Sequence, residues 1–472
     1  MIAAPQEGLQ ADESAAGAVE ESSRIAEVVN RNAPCPCGSG WRYKACCGTV
    51  AARAGRAAAP SVGSLMQRAL ALQQQGRLVD AAALYREALS LAPDLPDAVH
   101  MLGVTHLQAG EYGAALRHLR HAAKLFAWQL PAVRHNLGLA IAAAVANRDR
   151  PEIARLWKAY DRWHDSVRQS NDGAPVRVSV VIPSFNHARY VEAALESVFL
   201  QTYRDIEIVV IDDGSSDGSP GRIREALRRS PFPVRLRARA NRGAAATLNE
   251  AVALSTGAFV NVLNSDDRFA ASRIATMVDA IGRRGLTWGF SRVALIDEQG
   301  SAVAADASPR ASELCYRADS VAARDTIGTA FLSCNPAVSS GTLFFARSLF
   351  DRLGGFGDLR YNHDWDFCLR ASIVAEPVFV ASPEYNYRLH GANTILESAP
   401  AAKREADAMF ERFYRDAVAL PDASNPFAPV LAIWGARFFE QALAFGHAAL
   451  LPSDVLRAFA DRVLATLGDE EP

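Results

Sequence analysis

The feature that most constrains the fold is an alternation of apolar runs and amphipathic helices that begins near residue 176. Residues 176–182 and 206–211 are almost continuously apolar, and residues 258–263 form a later run of the same kind. Such runs are typical of strands buried on both faces of a sheet. Between the first two runs, apolar residues recur at helical spacing from Val191 to Phe199. The alternation predicts an α/β domain with a mostly parallel sheet flanked by helices.

Each predicted strand is followed by a polar cluster. The clusters contain Pro183, Phe185 and Asn186 after the first strand, Asp212 and Asp213 after the second, and Asp266 and Asp267 after the third. Ligands of an open parallel sheet bind beyond the carboxyl ends of its strands, so we expect these side chains to line one site. No G-x-G-x-x-G pattern follows the first strand, which argues against a dinucleotide-binding oxidoreductase.

In this order along the chain, these segments resemble family 2 glycosyltransferases with the GT-A fold. VSVVIPSFN at 178–186 and IDDGSSD at 211–217 resemble the family's opening, and NSDD at 264–267 resembles its metal-binding D-x-D-type motif. SGT at 340–342 and GGF at 354–356 stand where its acceptor-side segment would lie. HDWD at 363–366 resembles the E-D-W-D catalytic segment, and YRLHGAN at 387–393 resembles the closing motif.

The resemblance implies an inverting transferase that moves a sugar from a nucleotide-sugar donor, with a UDP-sugar favoured, to a hydroxyl of a protein, polysaccharide or lipid-linked acceptor. A divalent cation, Mn²⁺ or Mg²⁺, would neutralise the charge of the departing diphosphate. Its implied ligands are Asp267 and His390. The implied substrate contacts are Pro183, Phe185, Asn186, Asp212, Asp213, Asp266, Asp366 and Arg388.

Asp364 is the implied general base, which takes the proton of the acceptor hydroxyl. A single base with direct attack inverts the anomeric carbon, whereas retention by double displacement needs a nucleophile as well. The family often has Glu before this Asp, and this chain has His363. Histidine still donates and accepts hydrogen bonds and titrates near neutrality, so we expect activity to persist.

Each of these residues has a plainer interpretation. Asp266 and Asp267 could cap a helix that starts near Ala270, and Asp364 could cap the helix that runs through Leu369. Asp212 could be a turn residue, His390 a surface histidine and Phe185 a core residue.

The region from residue 65 to residue 170 repeats itself. A shift of 34 residues superposes Gly76 on Gly110 and Ala81 on Ala115, and a shift of 35 carries Leu102 onto Leu137. A period near 34 with small residues at fixed places resembles tetratricopeptide repeats, which hold protein partners on a concave surface. We expect about two and a half repeats, capped by residues 153–167. A generic Ala-rich helical bundle is the alternative.

Four cysteines cluster near the N-terminus. Cys35 and Cys37 are followed, after eight residues, by Cys46 and Cys47, with glycines and Tyr43 between them. The cluster resembles the SEC-C motif, and four thiolates suit one tetrahedral Zn²⁺ without an open position, which makes the site structural. Chance clustering of reactive thiols is the alternative.

Bulk composition excludes several classes of protein. A formal charge of -2 leaves no basic excess for general nucleic-acid binding. The first thirty residues are acidic, unlike a signal peptide, and no apolar stretch is long enough for a transmembrane segment. We expect a cytoplasmic protein, free or peripheral at the inner face of a membrane. Its expected regions are a disordered N-terminus (1–32), the zinc motif (33–50), a linker (51–64), the repeats (65–170), the transferase domain (175–400) and C-terminal helices (401–472).

Two rival functions remain at this stage. The protein could be an adaptor whose repeats and zinc motif bind partners while its transferase-like domain serves as a scaffold. Manganese-dependent hydrolysis of sugar nucleotides would separate the enzyme from the adaptor. A nucleotidyltransferase on a similar sheet is the other rival, but its Gly-rich, Arg-containing loop does not follow the first strand.

We expect the cysteine cluster to bind about one Zn²⁺ per chain and to be unfolded without it, because metal binding there supplies the folding energy. Elemental analysis of protein purified without chelators measures this directly, and protein free of zinc would contradict the prediction. Removal of residues 1–50 should leave sugar-nucleotide hydrolysis nearly unchanged, since the site has no open coordination position.

Overall fold

The computed structural model describes residues 60–146, 151–169, 176–391 and 398–467, together with Asn32, Arg42 and Lys44. The four cysteines of the predicted zinc motif and most of the predicted N-terminal region and linker lie outside these residues. The chain divides into two compact units, residues 1–140 with 464–472, and residues 141–463.

The first unit consists of paired helices. They are α1 (Val62–Gln74), α2 (Leu78–Leu91), α3 (Pro96–Gln108), α4 (Tyr112–Leu125) and the start of α5 (Pro131–Ala146). Gly76 and Gly110 follow α1 and α3 with φ of 76° and 78°, a left-handed conformation that suits glycine and reverses the chain. A Cβ at Gly103 would lie 2.8 Å from Leu119 Cγ, so the small residue lets α3 and α4 approach closely. The predicted helical repeats are confirmed.

Helix α6 (Pro151–Gln169) belongs to the second unit. Its Tyr160 and Trp163 pack against Phe427, with ring centroids 5.2 and 5.7 Å from that of Phe427. The Ile327 amide donates a hydrogen bond of 3.1 Å to the Tyr160 hydroxyl. Residues 153–167, expected to cap the repeats, thus also pack on the transferase side of the expected boundary at residue 170. An amphipathic pattern shows that a helix has an apolar face but not which surface covers it.

The second unit is built on a mixed sheet in the order β3-β2-β1-β4-β8-β6-β9-β5, with β7 paired to β6. The strands are β1 (Val178–Ser184), β2 (Ile206–Asp212), β3 (Val234–Ala238), β4 (Phe259–Val262), β5 (Arg268–Phe269), β6 (Trp288–Ile296), β7 (Ala302–Val303), β8 (Leu343–Ala346) and β9 (Val378–Arg388). The strands β1, β2 and β4, which the apolar runs predict, are buried along almost their whole length. The predicted fold class, a helical repeat region followed by a helix-flanked sheet, is confirmed.

Helices connect and cover these strands. They are α7 (Val191–Phe199), α8 (Ser219–Leu227), α9 (Ala244–Leu254), α10 (Arg273–Ala280), α11 (Pro309–Asp319), α12 (Ile327–Ala330), α13 (Arg347–Leu353) and α14 (His363–Val374). The C-terminal helices are α15 (Ala399–Ala419), α16 (Leu431–Trp434), α17 (Ala436–Ala444) and α18 (Ser453–Leu467). In the described part of the chain, no helix combines the length and the apolar character needed to cross a membrane.

Strand direction explains where the site forms. Strands β1, β2, β3 and β4 pair in parallel. Strand β8 runs antiparallel to β4, β6 antiparallel to β8, and β9 parallel to β6. As a result β9 ends at the same edge as β1, β2 and β4, and β8 begins there. Segments more than a hundred residues apart in the sequence therefore meet at one edge of the sheet.

Candidate active site

Three side chains that can ligate a metal converge at this edge. His187 follows β1, Asp266 follows β4 and His390 follows β9. One ligand atom of each lies within 4.8 Å of the other two. His390 Nε2 is 2.9 Å from Asp266 Oδ2, and His187 Nε2 is 3.9 Å from the same oxygen. We call these three residues the metal triad.

Neighbouring polar groups orient His187. Its Nδ1 lies 2.8 Å from the Ser265 hydroxyl, which leaves Nε2 for Asp266. Such a hydrogen bond to the second ring nitrogen is typical of histidines that ligate metals. The preceding Asn186 has a φ of 53°, and its side-chain oxygen accepts a hydrogen bond of 2.9 Å from the Ser216 amide. Asn186, predicted as a substrate contact, thus shapes the turn that presents His187.

The adjacent carboxylates Asp266 and Asp267 have different surroundings. Asp267 is 1% exposed and accepts hydrogen bonds of 2.7 Å from the Tyr385 hydroxyl and from the Arg388 amide. Burial and the neighbouring Asp266 hold the pKa of Asp267 well above its usual range. Burial would also raise the pKa of Asp266, but the hydrogen bond from His390 and the charges of both histidines bring it below its usual value.

The structure thus brings Asp266, and not the expected ligand Asp267, together with His187 and His390. Both Asp267 oxygens are occupied by protein donors, whereas Asp266 faces the two histidines. Neither residue caps a helix, because α10 begins only at Arg273.

Arg388 holds residues 264–267, the predicted metal motif, in place. Its Nε donates to the Asp266 carbonyl and its Nη1 to the Asp297 carbonyl, both at 2.7 Å. Its guanidinium also lies 4.7 Å from the Tyr190 ring centroid. These contacts and the burial of the side chain give Arg388 a structural role; the substrate contact that the sequence suggests stays a prediction.

The two carboxylates at the end of β2 hold two different loops. Asp212 accepts hydrogen bonds from the Ser215 amide at 3.0 Å and from its hydroxyl at 2.7 Å, so the interpretation as a turn residue fits. Asp213 accepts from the amides of Arg242 and Gly243, at 2.8 and 2.9 Å, and pairs with the Arg239 guanidinium. Asp213 thereby fixes the loop that leads into α9.

The aromatic ring after β1 is open to solvent. Phe185 is 45% exposed, so the alternative interpretation as a core residue does not fit. Its free face suits stacking on a planar base. Pro183 lies within β1, half-buried and in register with Ile211 of β2.

Asp364 lies in the first turn of α14 and is 9% exposed. Its carboxylate accepts a hydrogen bond of 2.7 Å from the Trp365 amide, and the Asn335 side chain beside it lowers its pKa. Burial raises the pKa of Asp364, and the positive charge of His363 and these two contacts only partly offset the increase. A buried carboxylate with a raised pKa is what a general base needs.

Asp366, predicted as a substrate contact, is hydrogen-bonded by two arginines of the protein. It accepts a hydrogen bond of 2.8 Å from Arg370 Nε and one of 2.5 Å from Arg412 of α15. Glu405 of α15 also accepts hydrogen bonds from the backbone amides of Tyr361 and Asn362, at 2.8 and 2.7 Å. The C-terminal helix α15, in which the sequence shows no chemistry, therefore holds the start of the helix that carries Asp364.

His363 stands beside the base. Its ring meets Phe356 edge-on, with centroids 6.0 Å apart. Its Nδ1 is buried and has no hydrogen-bond partner among the described residues. The histidine at this position thus leaves one polar ring atom unused.

Several site residues were missed by sequence reasoning. His187 directly follows the predicted strand-end cluster and was available as a signal, since histidine beside a polar strand end is a candidate ligand. Ser265, Asn335 and Ser339 carry no such signal, because their roles depend on contacts across long sequence separations.

Three parts of the chain match known protein families. Residues 179–332 match the family described as glycosyl transferase family 2, residues 72–129 match the tetratricopeptide repeat, and residues 31–49 match the SEC-C motif. The chain therefore carries a family 2 glycosyltransferase domain, preceded by tetratricopeptide repeats and a SEC-C motif.

Curated relatives and solved structures share parts of the chain. An uncharacterised glycosyltransferase of Nostoc sp. is 26% identical over 49% of this chain and 70% of its own length. The glycosyltransferase GlyG of Streptococcus pneumoniae is 33% identical, but over 22% of this chain and 35% of its own. The mannosyltransferase PcManGT from Pyrobaculum calidifontis, solved in complex with GDP-Man and Mn²⁺, is 19% identical with a TM-score of 0.42, over 72% of this chain and 88% of that chain.

Substitutions in the two adjacent carboxylates test the metal triad. Asp266→Asn and His187→Gln each remove a ligand, so we expect Mn²⁺ affinity, measured by electron paramagnetic resonance with UDP present, to fall at least about tenfold. The melting temperature should change little. Asp267→Ala is the matched control, because it leaves Tyr385 and the Arg388 amide without acceptors and should lower the free energy of unfolding by about 2 kcal/mol or more. Mn²⁺ binding that depends on Asp267 and tolerates both other variants would contradict the assignment.

Proposed function

We propose that the protein is an inverting, metal-dependent transferase that moves a sugar from a nucleotide-sugar donor to an acceptor hydroxyl. The observation that carries the proposal is the metal triad at the sheet edge of a family 2 glycosyltransferase domain. Asp364, a buried carboxylate with a raised pKa, complements it on the helix that follows β8 and α13. An adaptor with an inactive domain would have no use for both features.

The donor set of the triad fits a divalent transition metal. Two imidazole nitrogens and one carboxylate oxygen are a mixed set that suits a first-row transition ion better than Mg²⁺, which prefers oxygen ligands throughout. Three protein ligands also leave coordination positions for a diphosphate. When bound, the cation would neutralise the charge that builds on the leaving diphosphate. We therefore propose Mn²⁺ as the preferred ion.

Protein side chains supply the general base and the contact with the nucleotide. Asp364 accepts the proton of the acceptor hydroxyl as the oxygen attacks the anomeric carbon, and attack from the face opposite the leaving group inverts that carbon. Phe185 offers a stacking face for the base of the nucleotide. Similarity to the family favours a uridine nucleotide. A protein side chain, a polysaccharide or a lipid-linked glycan would each supply the hydroxyl.

Asp364→Asn tests the base. The amide keeps the shape of the side chain but cannot take a proton, so turnover should fall roughly 10²–10⁴-fold while UDP and Mn²⁺ binding stay unchanged. Because burial raises the pKa of Asp364, wild-type turnover should fall off on the acid side at a higher pH than an ordinary aspartate would give. Near-normal turnover of this variant would move the role elsewhere, with Asp366 as the next candidate. Asp366→Asn is the matched control, expected to lower the melting temperature through its lost contacts with Arg370 and Arg412.

For the repeats, we propose that their concave surface holds an extended segment of the acceptor and raises its effective concentration. Dimerisation is the alternative. Deletion of residues 65–140, which keeps α6 with the transferase unit, should spare donor hydrolysis and transfer to a small surrogate acceptor. Transfer to the natural acceptor, followed by mass spectrometry, should fall sharply. Equal modification of that acceptor by the truncated and full-length proteins would exclude a docking role.

A further inference from the structure

The loop that leads into β8 contains an unusual turn. Val338 has a φ of 69°, and the Ser339 amide donates a hydrogen bond of 2.7 Å to the Ala337 carbonyl. A positive φ with this two-residue hydrogen bond describes the strained form of the γ-turn. For a β-branched residue such as valine, this conformation is a genuine outlier. We call residues Ala337, Val338 and Ser339 the γ-turn.

Hydrogen bonds from outside the turn keep it in this conformation. The Thr342 hydroxyl donates to the Ala337 carbonyl at 2.7 Å and to the Ser339 carbonyl at 3.0 Å. The Ala337 amide donates to the Asn335 side-chain oxygen at 3.2 Å. Strained conformations persist where their surroundings over-determine them, and they cluster at functional sites. This turn lies between two parts of the candidate site.

On one side, the turn is clamped to the metal motif. The Asn264 side-chain amide donates to the Ser339 hydroxyl at 2.8 Å, and its oxygen accepts from the Ser340 hydroxyl at 3.1 Å. Asn264 stands two residues before Asp266 of the metal triad. A carboxylate at this position could not donate to Ser339, so the asparagine suits the clamp.

On the other side, the turn reaches the base. Asn335 is buried, and its side chain lies beside the Asp364 carboxylate and lowers the pKa of that group. The indole of Trp365, the residue after the base, donates a hydrogen bond of 2.8 Å to the Phe331 carbonyl of the segment that leads to the turn. The Val338 amide in turn donates to the Asn335 carbonyl at 3.1 Å. The γ-turn thus connects Asn335, which lies beside Asp364, with Ser339, which is hydrogen-bonded to Asn264.

We infer that the γ-turn at Val338 is a positioning element that fixes the general base Asp364 relative to the metal motif, through Asn335 on one side and Asn264 on the other. The inference rests on the proposed function, since it assumes that Asp364 and the metal triad act on the same donor and acceptor. Val338, Asn335 and Asn264 are positioning residues, because they act through Asp364 and the metal-motif segment. A strained turn of fixed geometry keeps Asn335 and Ser339 at a constant distance from each other, whereas a flexible glycine at position 338 would let that distance vary.

The test compares Val338→Gly with the isosteric Val338→Thr in the full-length protein. Glycine relieves the strain, so the melting temperature should stay equal or rise, whereas turnover at saturating substrates should fall roughly 10- to 100-fold through misplacement of the base. The KM for the donor and the Mn²⁺ affinity should remain unchanged. Val338→Thr keeps the branched side chain and should retain near-normal turnover.

The pH profile adds a readout that a purely structural role would not move. The Asn335 side chain lowers the pKa of Asp364, so loosening this contact in Val338→Gly should shift the acid side of the turnover profile to higher pH. Asn335→Ala should show the same shift. Ala127→Gly is the matched control, since Ala127 also has a positive φ, of 49°, but lies in the helical unit. That variant should leave both turnover and the pH profile unchanged.

The outcomes separate this inference from the proposed function. If wild-type protein transfers sugar but Val338→Gly has normal turnover and an unshifted profile, the positioning role is overturned and the proposed function stands. If wild-type protein transfers sugar from no nucleotide donor with Mn²⁺ present, the proposed function fails, and this inference fails with it. If Val338→Gly does not fold, Asn264→Asp replaces it. That variant cannot donate to Ser339 and should lower turnover and shift the profile in the same way, while normal behaviour would overturn the inference.

Discussion

The hydrogen bonds that Asp267 accepts from Tyr385 and from the Arg388 amide are the constraint on which the site depends. They tie the segment after β4 to the end of β9, 118 and 121 residues further along the chain. Because β9 is parallel to β6, the chain continues past Arg388 to the sheet edge where Asp266 lies. His390 Nε2 is thereby brought to within 2.9 Å of Asp266 Oδ2, so the hydrogen bonds of Asp267 shape the place where the two side chains meet.

Other carboxylates around the site are also hydrogen-bonded within the protein. Of the acidic residues at the strand ends and at the start of α14, Asp212, Asp213, Asp267 and Asp366 are occupied by protein donors. Asp266 instead faces His187 and His390, whereas Asp364 accepts one backbone amide and lies beside Asn335. The occupied carboxylates hold loops and helix ends that would otherwise be free to move. A rigid surround of this kind keeps reacting groups in place and avoids reorganisation during the reaction.

The architecture and the location of the site follow from the sequence, whereas the choice between neighbouring residues does not. Apolar runs that end in polar clusters predict β1, β2 and β4 and the edge at which they end, because burial on both faces requires apolar side chains throughout. Asp266 and Asp267 cannot be told apart this way, since adjacent residues of the same type differ only in the direction of their side chains. The roles of Asp366 and Arg388 likewise depend on partners as distant as Arg412 and Asp297. The packing of α6 on Phe427 cannot be read from the sequence either, because an apolar helical face does not show which surface covers it.

The most direct test of the account is anomalous diffraction from crystals grown with Mn²⁺ and a uridine nucleotide. The account predicts one manganese peak in direct contact with His187 Nε2, Asp266 Oδ2 and His390 Nε2, with the diphosphate on the open side of the ion. Asp267 should still be bonded to Tyr385 and to the Arg388 amide. A peak bound to Asp267, or a diphosphate bound at this edge without any metal, would contradict it.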